Sequence, residues 1–336
     1  MDSIYMARAL ELASLGCGLV SPNPLVGSVI VREGRIVGEG FHQFALVDHA
    51  ESHALRMAGP LARGATLYCN LEPCCHHGRT RPCSESLIEA GISRVVVAMS
   101  DPDPRVGGRG LDLLRAAGIT VEVGLMAAES VRLNEIYLKF TVTGRPFVHL
   151  VSGDAGTAQI SGEVNSLSGG LPAEWRPSEY LRQLARRYDA LVLGDSSAAN
   201  IAIAADYVGL ARHRVPIIAG EAASVDPVRR AIDLRDGPDV YFIVLPNGST
   251  PASSSRGLFI VELPGHQITS LIVLGSRIGL DASLVDADKV TFVVDSGAVK
   301  GSEWLSLPGH AGRRLSEQEN RDANGFIEVS GYPVSL

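Results

Sequence analysis

A histidine, a glutamate two residues on, and two cysteines with eight residues between them constrain this chain more than any other feature. They read His49-Ala50-Glu51, then Pro73-Cys74, then Pro82-Cys83. One imidazole and two thiolates form a donor set for Zn²⁺, and three protein ligands leave the fourth tetrahedral position open to water, the mark of a catalytic site. The two thiolates balance the dication while the metal still acidifies a bound water. Glu51 is then placed to move a proton between that water and a leaving group. Singly, His49 reads as a core histidine and each cysteine as a small buried hydrophobe. In this order and together, they read as a metal centre with an acid–base.

Local signals put these residues at element ends. Asp48 is an expected N-cap for a helix from about His49 to Met57, with Gly59-Pro60 as its stop. Thr66 to Leu71 alternates like a strand, Pro73 suits the first turn of a second helix, and Ser84 to Ala90 reads as a third, ended by Gly91. Both thiols would then sit at helix N-termini, where thiolates are favoured. Cys75, directly after a ligand in a helical first turn, would face away and is assigned to packing. Cys17 and Cys69 have no spaced partner and read as core thiols.

At 336 residues the chain is long enough for about two domains. Its 46% apolar and 20% charged content is that of a soluble globular protein. A net charge of −7 argues against nucleic acid as a partner, since phosphate binding needs a basic face. There is no apolar run long enough to span a bilayer, and the chain enters an amphipathic helix at once, so no membrane partner and no leader are expected. The five cysteines all fall within the first 83 residues, clustered on a metal motif, which points to a reducing cytoplasm and not to disulfides.

In chain order the reading is a helix capped by Asp2-Ser3, the strand Val26 to Val31, a Glu33-Gly34 turn and the strand Arg35 to Gly38. The His49 helix, the Leu67 strand, the Cys83 helix and the buried strand Arg94 to Met99 follow. Then come helix Leu111 to Ala117, strand Thr120 to Val123 and one helix from Ala127 to Lys139. That order predicts a three-layer α/β/α sandwich over residues 1–144. Residues 145–336 read as a second α/β domain, with strands at Phe147 to Val151, Ala190 to Leu193, Val215 to Ile218, Val240 to Leu245, Leu258 to Val261, Ser270 to Leu274 and Val290 to Val294. A helix is expected from Pro177 to Arg187, and a surface loop from Ser249 to Arg256.

The first 144 residues resemble the deaminase half of the bacterial riboflavin-biosynthesis deaminase–reductase family. The resemblance is carried by Pro22-Asn23-Pro24-Leu25-Val26-Gly27, Gly38-Glu39-Gly40-Phe41-His42, His49-Ala50-Glu51, Leu71 to Thr80, Arg94 to Met99, Asp101-Pro102 and Leu133-Asn134-Glu135. The H-x-E…P-C…C pattern by itself indicates only the cytidine-deaminase superfamily. The wide cysteine spacing and the Cys-Cys-His-His-Gly-Arg-Thr stretch narrow it to this branch. The resemblance implies a cytidine-deaminase-like fold and hydrolytic deamination of 2,5-diamino-6-ribosylamino-4(3H)-pyrimidinone 5′-phosphate, a small phosphorylated pyrimidine. It implies His49, Cys74 and Cys83 as zinc ligands and Glu51 as the proton shuttle. It also implies substrate contacts from Asn23 (as a buried amide), His42, His76, Arg79 and Asp101. Asp103 stands where the family usually has Asn, which makes that position acceptor-only and leaves its role open.

The family's second domain resembles dihydrofolate reductase and uses NADPH. The entry Arg145 to Leu150 and the stretch Leu181 to Gly194 match it, but the working positions depart. A family lysine followed by a Ser-Leu-Asp-Gly turn is here Val151-Ser152-Gly153-Asp154. A Gly-Thr pair is replaced from Asp195, and a Glu-Gly-Gly becomes Leu274-Gly275-Ser276. Lost glycines and an added carboxylate work against a diphosphate. Gly275 to Gly279 could cradle a phosphate but reads better as a turn. The expectation is a degenerate reductase domain without a cofactor site. A diverged bifunctional enzyme and a zinc-stabilised binding module are the alternatives, and the family implies homo-oligomers.

Overall fold

The computed structural model describes residues 1–44, 48–78, 80–153, 184–193, 198–208, 217–231, 241–245, 269–274, 288–295, 313–323 and 326–335. The chain divides into two compact units, Met1–Arg145 and Pro146–Leu336. Among the described residues no helix is long and apolar enough to cross a membrane.

In the first unit β1 (Gly27–Arg32), β2 (Arg35–Phe41), β3 (Thr66–Cys69), β4 (Arg94–Val97) and β5 (Thr120–Val123) form a sheet in the order β2-β1-β3-β4-β5. The β1 strand runs antiparallel to β2 and β3, while β3, β4 and β5 are parallel. Strand side chains alternate between two cores, as the pleat requires. Val29, Val31, Tyr68 and Val96 meet Met6, Ala9 and Leu12 of α1 (Asp2–Ser14). Ile30, Leu67, Cys69, Val95 and Val97 meet Ala54 and Ala58 of α2 (Ala50–Ala58), Leu87 of α3 (Cys83–Ala90), and Leu111 and Leu114 of α4 (Arg109–Ala116). The result is a three-layer α/β/α sandwich.

Several boundaries differ from expectation for identifiable reasons. Asp2 does not cap α1 through its side chain; it is drawn instead to Arg94 Nη2 at 2.6 Å and to the Tyr68 hydroxyl at 2.7 Å. Asp48 does not cap α2. His49 holds the N-cap position, and Asp48 pairs with Arg56 at 2.6 Å. The expected helix from Ala127 is two, α5 (Ala127–Leu133) and α6 (Glu135–Thr143), broken at Asn134. The Asn134 carboxamide accepts from Leu25 N at 2.8 Å and donates to Leu25 O at 3.0 Å, so the break serves a distant loop.

Helix α2 lies against β2 at backbone distance. A Cβ added at Gly38 would stand 2.1 Å from Ala54 O, and one at Gly40 would stand 2.3 Å from Ala50 O. Only glycine permits that approach.

In the second unit the described strands form a mixed sheet in the order β12-β13-β11-β6-β10-β7-β8-β9. These are β6 (Phe147–Gly153), β7 (Ala190–Leu193), β8 (Ile217–Glu221), β9 (Tyr241–Leu245), β10 (Ser270–Leu274), β11 (Lys289–Asp295), β12 (Arg313–Ala323) and β13 (Phe326–Ser335). The pairings among β6 to β11 are parallel; β13 is antiparallel to β11 and β12. Helices α7 (Ala198–Val208) and α8 (Ala222–Ala231) were not expected, and neither was the polar hairpin β12–β13. The expected strand at 258–261 and the loop at 249–256 lie outside the described residues, as does most of the helix at 177–187.

His149 on β6 is fully buried, bonded through Nδ1 to the Tyr188 hydroxyl at 2.7 Å and through Nε2 to Thr291 Oγ1 at 2.8 Å. Burial, with Lys289 and Arg187 adding to it, holds its pKa well below the ordinary histidine value.

Two outcomes are expected. Gly40→Ala forces a methyl into the α2 backbone and should cost about 1–3 kcal/mol in denaturant unfolding; an unchanged midpoint would contradict the close packing. A histidine kept neutral when folded takes up its proton on unfolding, so stability is fully present above about pH 6.5 and falls as the pH drops below it. The difference in unfolding temperature between the protein and its His149→Gln variant should therefore shrink from pH 7 to pH 5.

Candidate active site

The site is assembled at the carboxyl ends of β3 and β4. Glu51 sits in the first turn of α2, 3% exposed, two residues after the N-cap His49. Cys83 is the first residue of α3 and is buried. Cys74 is not at a helix start, contrary to expectation; the segment from Glu72 to Cys75 is irregular. Its sulfur nevertheless faces a helix terminus, because the Cys83 N–H donates to Cys74 Sγ at 3.3 Å, and Ser84 N donates to Cys74 O at 3.1 Å. The tertiary fold thus supplies the dipole that local sequence was expected to give.

The three donors converge. His49 Nδ1 stands 3.4 Å from Cys74 Sγ and 3.2 Å from Cys83 Sγ, and all three ligand atoms lie within 4.8 Å of one another. Zinc–sulfur and zinc–nitrogen bonds of ordinary length at a tetrahedral angle give a nitrogen–sulfur edge of about 3.6 Å, so the donor set and its spacing fit Zn²⁺. The electrostatics agree with a thiolate site. Hydrogen bonding from Cys83, and then from His49, holds the Cys74 thiol down at about 4, whereas the Cys74 sulfur and burial push Cys83 up. His49 is raised to about 9 by the Cys74 sulfur. Burial raises Glu51, with the His49 charge opposing it. A buried carboxyl beside these donors is placed both to take and to return a proton.

Around this centre Asn23 donates through Nδ2 to His42 Nε2 at 3.1 Å, which leaves the His42 proton on Nδ1, facing Asp48 O at 3.2 Å. Asn23 is exposed and His42 is buried, the reverse of the buried amide expected at 23. The His42 and His49 rings meet edge to face, with centroids 5.4 Å apart. His76 is half-buried and close enough to Asp103 for its charge to lower that carboxyl. Asp101 is buried, and burial raises its pKa. Arg79 lies outside the described residues. Cys75 Sγ donates to Arg105 O at 3.6 Å, and Cys69 is buried, accepting from Ser28 Oγ at 3.3 Å.

Three positioning groups went unrecognised in the sequence. Glu72, inside the quoted motif, is 4% exposed and accepts backbone N–H bonds from Asp101 (3.1 Å), Gly108 (3.0 Å), Gly110 (3.0 Å) and Leu111 (3.4 Å). It caps α4 from outside and ties the Asp101 loop to the Cys74 segment. Asn70 accepts from Gly27 N at 2.8 Å and donates to Leu25 O at 2.9 Å, while Asn134 grips Leu25 from the other side. Asn70 and Glu72 stand just past the buried strand β3 and Asn134 stands between α5 and α6; Glu72 and Asn134 fall inside the motifs quoted above, where no role was given to them.

The geometry carries an expected outcome. The purified protein should hold one zinc per chain; Cys74→Ser and Cys83→Ser should lose it, and Cys75→Ser should keep it. Zinc retained in Cys74→Ser but lost in Cys75→Ser would exchange the two assignments.

Residues 1–99 match the cytidine and deoxycytidylate deaminase zinc-binding region. The chain is 50% identical over 206 residues to the Escherichia coli riboflavin biosynthesis protein RibD, a match covering 60% of this chain and 56% of that protein. It is 42% identical to the maize chloroplastic riboflavin biosynthesis protein PYRD over 98% of this chain and 88% of the relative. Among solved structures, a Thermotoga maritima diaminohydroxyphosphoribosylaminopyrimidine deaminase/5-amino-6-(5-phosphoribosylamino)uracil reductase superposes with TM-score 0.73 at 27% identity, covering 99% of both chains. With its first unit bearing the zinc-binding deaminase region and its whole length matched, this chain belongs to the RibD/PYRD family of riboflavin-biosynthesis proteins.

Proposed function

We propose that the first unit removes the C2 amine of 2,5-diamino-6-ribosylamino-4(3H)-pyrimidinone 5′-phosphate by hydrolysis, with His49, Cys74 and Cys83 as zinc ligands and Glu51 as the proton carrier. The observation that carries this reading is the convergence of one imidazole nitrogen and two sulfurs within 4.8 Å beside a buried carboxyl. Zn²⁺ held there supplies Lewis acidity to a water at neutral pH. Glu51 takes the water's proton as the oxygen bonds to C2, then returns it to the amine as the carbon–nitrogen bond breaks, so ammonia leaves and the ring keeps the oxygen. Its raised pKa suits both halves of that transfer. Asn23, His42, His76 and Asp101 line the approach, and Arg79 is included on sequence grounds.

The second unit is read as a reductase-like domain that has lost its chemistry, on the departures at Ser152 to Asp154, from Asp195, and at Gly275-Ser276. All but Ser152 and Gly153 of those positions lie outside the described residues. A second reading, in which NADPH-dependent reduction persists, is favoured by the match to the Thermotoga deaminase/reductase along the whole chain.

One two-stage assay separates the readings. Given the diaminopyrimidinone ribosyl phosphate, the protein should release ammonia without NADPH, and Glu51→Ala should keep its zinc but lose turnover by about two orders of magnitude or more. Full activity in that variant would remove Glu51 from the mechanism. On adding NADPH no consumption is expected; NADPH oxidation after deamination would instead establish a working second site.

A further inference from the structure

Asp101 stands on the loop leaving β4, 8% exposed, and its two carboxylate oxygens are used unequally. Oδ1 accepts from Asp103 N at 2.9 Å and from the Tyr137 hydroxyl at 2.9 Å. Oδ2 has no donor among the described residues. An acceptor oxygen left open in this way can take a donor from solvent or from a ligand. The loop is fixed against the zinc-ligand segment, because the Asp101 N–H is held by Glu72 and Cys75 bonds to Arg105 O.

The partner on the other side is equally well placed. Tyr137 lies on α6, whose first turn follows Asn134, and Asn134 is bonded to both backbone atoms of Leu25. Tyr137 is therefore tied to the same loop that carries Asn23. Burial pushes its phenol pKa up, so it remains a donor at every working pH. Asp103 cannot take the place of Asp101, because both of its oxygens already accept from Arg105, at 2.6 to 3.1 Å.

We propose that Tyr137 is a positioning residue for substrate binding: its hydroxyl holds Asp101 Oδ1 so that Oδ2 is turned to accept an N–H or O–H of the aminopyrimidine ribosyl phosphate. The inference rests on the deaminase reading of the first unit and adds to it a residue distant in sequence from the metal motif. Tyr137 touches neither the metal ligands nor Glu51 through any bond described, so its effect falls on binding and not on the chemical step.

The test is Tyr137→Phe in the full-length, zinc-loaded protein, which keeps the ring and removes the donor. KM for the substrate should rise about tenfold with kcat within twofold, as expected for one hydrogen bond to a charged group. Zinc content should not change. The acid limb of kcat/KM should move to higher pH. Removing the phenol takes away a donor that favours the Asp101 carboxylate, while burial and the Asp103 and Glu72 charges still oppose it and Arg105 is the facing cation. An unchanged KM, or a fall in kcat at constant KM, would overturn the proposal. Dissociation constants measured in a Glu51→Ala background keep the two readings apart. Weaker binding there on adding Tyr137→Phe upholds the positioning role even if the unsubstituted protein releases no ammonia, and equal binding removes it even if ammonia is released.

Discussion

The contact on which the active centre depends is the one between helix α2 and strand β2. His49 and Glu51 belong to the first turn of a helix whose backbone presses on a strand with no side chain between them, at Gly38 and Gly40. Both glycines face the same side of the strand, since they are two residues apart, and the next residue but one is His42. One face of a short strand thus sets the height of the metal-binding imidazole, the depth of the buried carboxyl and the place of a second histidine. On the other face of the sheet Gly27 of β1 allows an equally close approach to α1, where an added Cβ would stand 2.0 Å from Ala9 O. Such close layers leave little freedom for the groups they carry, which is what a site of fixed geometry requires.

The second support is electrostatic. Glu72 takes four backbone N–H groups from the loop after β4 and the start of α4, so a single buried carboxylate joins two chain segments far apart in sequence. Its partners are oriented peptide N–H groups and not a side-chain cation. It lies two residues before Cys74 and is bonded to the Asp101 N–H, so the Cys74 segment and the Asp101 loop share one anchor. The amides of Asn70 and Asn134 anchor the Leu25 segment in the same manner.

Much of this was legible in the chain. The layer order of the first unit follows from hydrophobic periodicity, and strands β5, β7 and β10 fall where alternation and β-branched runs put them. The donor trio follows from spacing and ligand chemistry. What local signals misjudged were the caps: Asp2 and Asp48 look like N-caps, yet each is claimed by an arginine brought near by the fold. The long hairpin β12–β13 was invisible because Arg313 to Ala323 is almost wholly polar and lacks the apolar alternation that marks a strand.

The sequence by itself determined the chemistry available to this protein, because residue type and order decide which atoms can bind Zn²⁺ and which can carry a proton. It also determined membership of the riboflavin-biosynthesis family, which rests on the same motifs and on a match along the chain. Only the tertiary structure decided how those atoms are oriented. That the Cys74 sulfur meets the amino end of α3, that Asp101 is held by a phenol 36 positions away, and that Asp103 is consumed by Arg105 are outcomes of packing. Hydrogen bonds between segments distant in the chain depend on where whole elements come to rest, and no local pattern encodes that.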